Sequence, residues 1–336
     1  MLDAALEALL MVLDPARLLF MFLGIFVGLT IGLLPGLSGT VGMSILLPFI
    51  YGMDPYTGMA MLIGMVAVVH TGDTFPSILM GVPGTSGSQA TIMDGHPLAK
   101  QGKASQALGV AFFCSMVGGI IGGIALYSAI PMMRPLILSF GSPELFMLSL
   151  FGLSMVGILS GKSPLKGFLS GILGLMLGAV GSAPAVAVYR YTFDSIYLSD
   201  GIPLAVVALG LFAIPAMIDL LTSNQSISKS GRLKGNAFQG IQEALKNKWL
   251  MFRSSVVGAI VGFIPGLGGS VVDWISYGIA QRTVKNNNFG QGDIRGVIAP
   301  ESANNAKEGG ALIPTLMFGI PGSGTTAILL GGLTLM

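Results

Sequence analysis

Charge is scarce in this sequence. Lys, Arg, Asp and Glu make up only 10% of the 336 residues, against roughly 25% in soluble domains, so the chain cannot clothe a water-facing surface as a soluble domain does. The formal net charge of +2 is too small to suggest a nucleic-acid partner. The one cysteine, Cys114, excludes an internal disulfide framework, and with only His70 and His96 beside it no convincing zinc site can be assembled. PGSGTT at 321–326 lacks the Lys of a phosphate-binding loop, the other clustered glycines follow no strand signal, and no nucleophilic triad suggests itself. An enzyme is therefore not expected. The first sixteen residues, MLDAALEALLMVLDPA, carry acids where a signal peptide would carry bases. They read instead as an amphipathic helix lying at a membrane interface.

What is abundant is apolar length. Residues of apolar type make up 52% of the chain, glycines number 50, and mean hydropathy is +0.80. The apolar runs are long enough to span roughly 30 Å of hydrocarbon and lack the period-2 alternation of an outer-membrane barrel. An all-α polytopic membrane protein is the reading.

In chain order, Arg17 to Leu34 is apolar and stops at Pro35-Gly36-Leu37-Ser38-Gly39, after which Thr40 to Tyr51 resumes. Proline removes a backbone donor and glycine loosens what remains, so this is a broken helix or a re-entrant hairpin. Tyr56 to His70 is the next helix, and Asp73 to Met93 contains a second break at residues 81–88. A polar loop over Asp94 to Ser105 closes this first unit, 17–105. Four plainer segments follow within 106–221: about Ala107 to Ile130, Pro143 to Leu159, Leu165 to Val188 and Ile202 to Leu221. Residues 222–253 form a basic loop, and 254–336 begin the opening unit again.

The restart is visible residue by residue. GLLPGLSGT at 32–40 returns as GFIPGLGGS at 262–270, 230 positions later, and FPSILMGVPGTSGS at 75–88 returns as IPTLMFGIPGSGTT at 313–326, 238 positions later. Lys100, Lys103, Lys162, Lys166 and the 222–253 loop mark cytoplasmic sides. With four crossings between the units, the two repeats take opposite topology if the amino end is periplasmic. Arg282, Lys285 and Arg295 favour re-entry of the broken segments over full crossing.

At a broken helix the freed N–H groups carry the positive end of a dipole, and the freed carbonyls can coordinate a cation. The residues at the four breaks are therefore candidates to bind an anion and its coupling ion: Gly36, Ser38, Gly39 and Thr40; Gly84, Thr85, Ser86 and Ser88; Gly266, Gly268, Gly269 and Ser270; and Gly322, Ser323, Gly324, Thr325 and Thr326. The bland alternative is that these small residues only let helices pack closely. Upstream of the last break, Glu301, Ser302, Asn304 and Asn305 join the candidates, with Lys307 suited to an anion. The alternative for Glu301, Lys307 and Glu308 is a solvated interfacial loop. Asp273 lies in apolar company three residues after Ser270, where an ion ligand or a helix cap would both fit. His70 and Asp73 suit either a proton carrier or a capping Asp beside a satisfied His.

The string GVIAPESANNAKEGGALIPTLMFGIPGSGTT at 296–326, with PGLSG, PGLGG and GVPGTSGS upstream, resembles the TctA large membrane subunit of the tripartite tricarboxylate transporters. The resemblance covers essentially the whole chain. It implies a secondary transporter of the bacterial inner membrane, driven by a cation gradient (Na⁺ or H⁺) and without a cofactor. It also implies a small TctB-type membrane subunit, a periplasmic TctC-type solute receptor, and small carboxylates as substrates. Family motif positions carry over onto Pro35 to Thr40, Pro83 to Ser88, Pro265 to Ser270, Glu301 to Asn305 and Pro321 to Thr326. Family members are usually longer, so a truncated or partial chain is expected. A channel or passive facilitator for organic anions, or a non-transporting scaffold, are the competing readings.

Overall fold

The computed structural model describes residues 2–35, 37–139, 163–182, 188–199, 236–265 and 268–336, with scattered positions over 141–150 and 201–222. Among these, helix dominates. Local chemistry sets the starts and stops. Asp14 accepts hydrogen bonds from the N–H groups of Ala16 and Arg17, and Pro15 occupies the first turn, so α2 (Pro15–Leu33) begins there, after α1 (Leu2–Val12). Ser38 caps α3 (Gly39–Ile50), and Asp54 caps α4 (Pro55–Gly72) through the Thr57 N–H at 3.1 Å. α5 (Thr74–Met80) follows almost without interruption and ends at Gly81, whose φ of 70° is one that few other residues adopt.

α6 (Gln89–Lys100) resumes after a single 3₁₀ turn at Ser86–Ser88, and α7 (Ala104–Leu138) follows. α8 (Pro164–Gly178) gives way to a two-residue antiparallel pairing of Gly181–Ser182 with Tyr189–Arg190. Past a stretch outside the described residues come α9 (Ala237–Lys246), α10 (Lys248–Gly262), α11 (Gly268–Thr283), α12 (Arg295–Phe318) and α13 (Gly324–Leu333). Among the described residues, the stretches 15–33, 55–80 and 104–133 are helices long and apolar enough to cross a membrane.

Three expectations need correction. Asp94 to Ser105 is not a loop: the helix runs through Lys100 and only 101–103 turn, because Asp94, His96 and Leu98 have protein partners rather than solvent. The basic stretch 222–253 contains α9 and the first turns of α10; α9 lays Gly240 and Ala244 against α7 and leaves its charged face outside. The segment begun at Leu165 stops at Gly178, where Gly181 takes a φ of 106° and turns the chain. The segments expected over 143–159 and 202–221 lie largely outside the described residues.

Two apolar cores flank α12. One gathers Ile31, Met43, Leu47, Leu62, Met65 and Leu329, and reaches Leu312 near the carboxyl end of α12. The other gathers Ile78, Val110, Cys114 and Met251, and takes in Val297, Ile298 and Ala299 from its amino end. The polar middle of α12 is thus clamped between them. Close backbone approach makes this possible: a Cβ on Gly258 or Gly262 of α10 would strike the carbonyls of Ala303 and Lys307, and one on Gly118 of α7 would strike that of Ser302. On the other side, Gly28 and Gly32 of α2 meet Met65 and Val69 of α4 in the same manner.

Candidate functional site

Every residue of α12 from Gly296 to Thr315 is buried. The solvated-loop alternative for Glu301, Lys307 and Glu308 is therefore wrong: they lie on a continuous helix with exposures of 1%, 2% and 6%. Ionised groups persist inside only when paired or hydrogen-bonded, and the partners come from far along the chain. Glu301 accepts from the hydroxyls of Thr91 (2.7 Å), Thr74 (3.0 Å) and Ser115 (3.1 Å), one each from α6, α5 and α7. Asn305 donates to the Ser115 carbonyl at 3.1 Å and to the Thr71 hydroxyl at 3.3 Å. Asn304 donates to the Gly87 carbonyl at 2.7 Å, tying α12 to the 3₁₀ turn of the second break.

One turn further on, His70 bridges the two halves of the cluster. Its Nε2 lies 2.8 Å from Glu308 Oε1 and 3.3 Å from Lys307 Nζ, while its Nδ1 lies 3.2 Å from Asp73 Oδ2. Lys307 Nζ also pairs with Glu308 Oε1 at 2.5 Å, and the Thr85 hydroxyl donates to Asp73. On α11, Asp273 accepts from the Ala90 N–H at 3.3 Å. The buried cluster thus sets four carboxyl groups, Asp73, Asp273, Glu301 and Glu308, against one lysine and one histidine. Asp73 Oδ1, Asp273 Oδ1, Asn304 Oδ1 and Glu308 Oε2 are buried with no hydrogen-bond partner. Unpaired buried acceptors beside an excess of carboxyls leave room for a proton or a cation to be taken up. Among the described residues no three His, Cys, Asp or Glu side chains converge to hold a metal ion.

The breaks meet in two pairs. Gly39 of the first break lies against Thr325, and Gly324 against Thr40, with built Cβ atoms 2.7 Å from the opposing threonine methyls. There Ser38 contacts Thr40, and Ser323 Oγ lies 2.8 Å from Thr325 Oγ1. At the other pair, a Cβ on Gly269 would lie 3.1 Å from Gly87 Cα, 3.3 Å from Asn304 Oδ1 and 3.5 Å from Lys307 Nζ. Gly84 abuts Asp73, and Gly322 abuts Ala311 and donates its N–H to Thr315 Oγ1 at 3.1 Å. The Ser88 hydroxyl lies 2.8 Å from that of Ser77, and Thr326 closes a capping box with Ser323.

Of the sequence candidates, the structure brings Thr85, Asp273, Glu301, Asn304, Asn305 and Gly269 to the charged cluster. Ser302 spends its hydroxyl on the Ile298 carbonyl of its own helix at 2.7 Å, and Ser86 is exposed. Gly268 begins α11; Gly36, Gly266 and the Ser270 side chain lie outside the described residues. Sequence reasoning missed Thr74, Thr91 and Ser115, single hydroxyls in apolar runs with no local signal. It also missed Asp94, which accepts from the N–H groups of Gly290, Gly292 and Asp293 at 2.8–2.9 Å and from the Tyr277 hydroxyl at 2.8 Å, fixing the loop before α12. In that loop burial raises the Asp293 carboxyl, but hydrogen bonds from the Arg295 side chain and from the Asn288 and Arg295 N–H groups, with the guanidinium charge, together outweigh it and hold the group below the usual carboxylate range.

Residues 18–336 match the family described as "Tripartite tricarboxylate transporter TctA family". The chain belongs to the TctA family. A protein of Agrobacterium vitis, "Uncharacterized 52.8 kDa protein in TAR-I ttuC' 3'region", is 32% identical over 324 residues, which is 96% of this chain and 64% of that protein. A second, "Uncharacterized protein in TAR-II ttuC' 3'region" from the same organism, is 39% identical over 79 residues, 23% of this chain and 33% of its own length. The TctA-family chain thus spans under two thirds of the first relative. No solved structure matches it. The cluster on α12 falls within the stretch 296–326 that carries the family motifs.

Proposed function

We propose that this TctA-family chain is the carrier subunit of a secondary transporter that moves small carboxylates across a bacterial inner membrane, coupled to a cation gradient. The observation that carries the reading is the closed cluster on α12, where buried carboxyls, a lysine and a histidine meet two of the helix breaks. A carrier needs a site shielded from both sides in at least one state. The burial of Asp273, Glu301, Asn304 and Lys307 supports that over an open pore. A small membrane subunit and a periplasmic receptor complete the proposed assembly, the receptor setting much of the substrate choice.

The two repeats are proposed to be inverted and related by a pseudo-two-fold. Paired contacts support this. Shifting Gly28 and Gly32 by 230 positions gives Gly258 and Gly262, and shifting their contacts Met65 and Val69 by 238 gives Ala303 and Lys307, which those glycines meet. The same shifts turn the Gly39–Thr325 contact into the Gly269–Gly87 contact with the partners exchanged. Exchange of partners is what a two-fold relation produces.

Reconstitution of the full-length carrier with its small subunit and receptor tests the proposal. Uptake of labelled tricarboxylate is expected to saturate and to follow an imposed Na⁺ or pH gradient; uptake indifferent to both sinks the coupled-carrier reading and favours a passive facilitator. Asn304→Ala with Asn305→Ala is expected to abolish uptake while expression holds.

A further inference from the structure

One nitrogen in the cluster has two incompatible neighbours. His70 Nε2 faces both an acceptor, Glu308 Oε1 at 2.8 Å, and a donor, Lys307 Nζ at 3.3 Å. A lysine ammonium has hydrogens only to give, and a carboxylate only lone pairs. A structural histidine needs one partner per nitrogen; this one is equipped for both protonation states. When the ring is neutral with its hydrogen on Nδ1, that hydrogen goes to Asp73 Oδ2 at 3.2 Å, and Nε2 accepts from Lys307. When the ring is charged, both nitrogens donate, to Asp73 and to Glu308, and the Lys307 ammonium is left facing a like charge.

Lys307 then has somewhere to go. Its Nζ lies 3.5 Å from the point a Gly269 Cβ would occupy, in the first turn of α11, with Gly87 Cα and the unpartnered Asn304 Oδ1 around the same point. The amino end of a sixteen-residue helix and a buried ammonium both favour an anion there, and Asn304 Oδ1 offers an acceptor to a substrate hydroxyl. The ring is faced by Asp73 at the α4–α5 junction, by Lys307 and Glu308 on α12, and by the Thr85 hydroxyl at 3.5 Å. Glu301 and Asp273 lie within electrostatic range of Asp73.

We infer that His70 is a proton site that gates a carboxylate site at Lys307: a proton taken up on Nε2 transfers Glu308 from the lysine to the imidazolium and frees the ammonium to bind a substrate carboxylate beside Gly87 and Gly269. The inference rests on the carrier reading above and names its coupling ion as H⁺. Proton and anion enter together, one proton for each carboxylate held by Lys307, and neither the free lysine nor the charged ring stands alone in the apolar interior.

Calorimetric titration of the purified carrier with tricarballylate, from about pH 7 to about pH 9 where all its carboxyls are ionised, reads this directly. In buffers of different ionisation heat, wild type is expected to take up about one proton per anion, with affinity falling by up to about tenfold per pH unit. His70→Gln is expected to bind weakly with no pH dependence, because Glu308 never leaves Lys307. Glu308→Gln is expected to bind more tightly than wild type at about pH 9 and with a shallower pH dependence, because the carboxylate no longer holds Lys307 and only the neutral ring's Nε2, 3.3 Å away, still accepts from it. These opposite signs, together with the wild-type proton count, keep the test decisive if one variant fails to fold. Wild-type binding without proton uptake, or proton uptake retained in His70→Gln, overturns the inference. Gradient-driven uptake in proteoliposomes that survives in His70→Gln with unchanged pH dependence overturns it while sparing the carrier reading; absence of gradient-driven uptake in wild type fails the carrier reading itself.

Discussion

Glu301 is where three helices each offer a hydroxyl to the same side chain. Thr91 and Ser115 give their hydroxyl hydrogen to Glu301, and Thr74 Oγ1 has the His70 carbonyl, at 3.3 Å, besides. Removing the carboxyl strands buried hydroxyls, each at a cost of about 1–3 kcal/mol when unsatisfied. Glu301→Ala is therefore expected to lower the thermal unfolding midpoint in detergent far more than Glu301→Gln, which keeps the shape and can still accept through its amide oxygen. Equal midpoints for the two variants would show that the hydroxyls pair elsewhere. The residue itself was legible in the sequence as an isolated carboxylate in apolar surroundings. Its partners were not, since they stand 186 to 227 positions away on three other helices, and a lone Ser in an apolar run carries no sign of what it faces. The His70–Glu308 contact, 238 positions apart, was hidden for the same reason.

At the scale of the element, the breaks were the most legible feature because proline and glycine act locally. Pro35, Pro83, Pro265 and Pro321 each fall where a helix has stopped, and Gly81 and Gly319 end α5 and α12 in the left-handed region at φ of 70° and 66°. What the sequence did not disclose was that APESANNAKEGG is helical and wholly buried. Its polarity imitates a loop, and only the close seams against α10 and α7 explain how so polar a helix is held inside. Gly258 carries one of these seams: a methyl there would run into the Ala303 carbonyl, with Ala303 Cα 2.7 Å away. Gly258→Ala is expected to cost about 1–3 kcal/mol by overpacking and to depress uptake by displacing α12. Gly278, on α11, meets nothing within 4 Å, so Gly278→Ala is expected to be neutral or stabilising by about 0.5–1 kcal/mol. Unfolding midpoints of the two variants moving in the same direction would refute the packing account.

At the scale of the whole molecule, the proposed inversion makes a claim about sides that no single contact can make. Tyr51 follows α3 and is 76% exposed; the position 230 residues later is Gln281, also exposed, close to the end of α11. In two parallel repeats these positions would open to one side of the membrane, and in inverted repeats to opposite sides. The lone native cysteine, Cys114, is fully buried, so the unmodified chain should give little background to a membrane-impermeant thiol reagent. Tyr51→Cys and Gln281→Cys, each introduced singly and labelled from outside in oriented vesicles, are expected to respond oppositely: one reacts at once, and the other only after the vesicles are opened. The exchange of partners between the Gly39–Thr325 and Gly269–Gly87 contacts fits a two-fold either in the membrane plane or along its normal, and only the in-plane axis puts the two positions on opposite sides. Labelling of both cysteines from the same side would sink the inversion and leave the exchanged contacts to a two-fold along the membrane normal, as between parallel repeats.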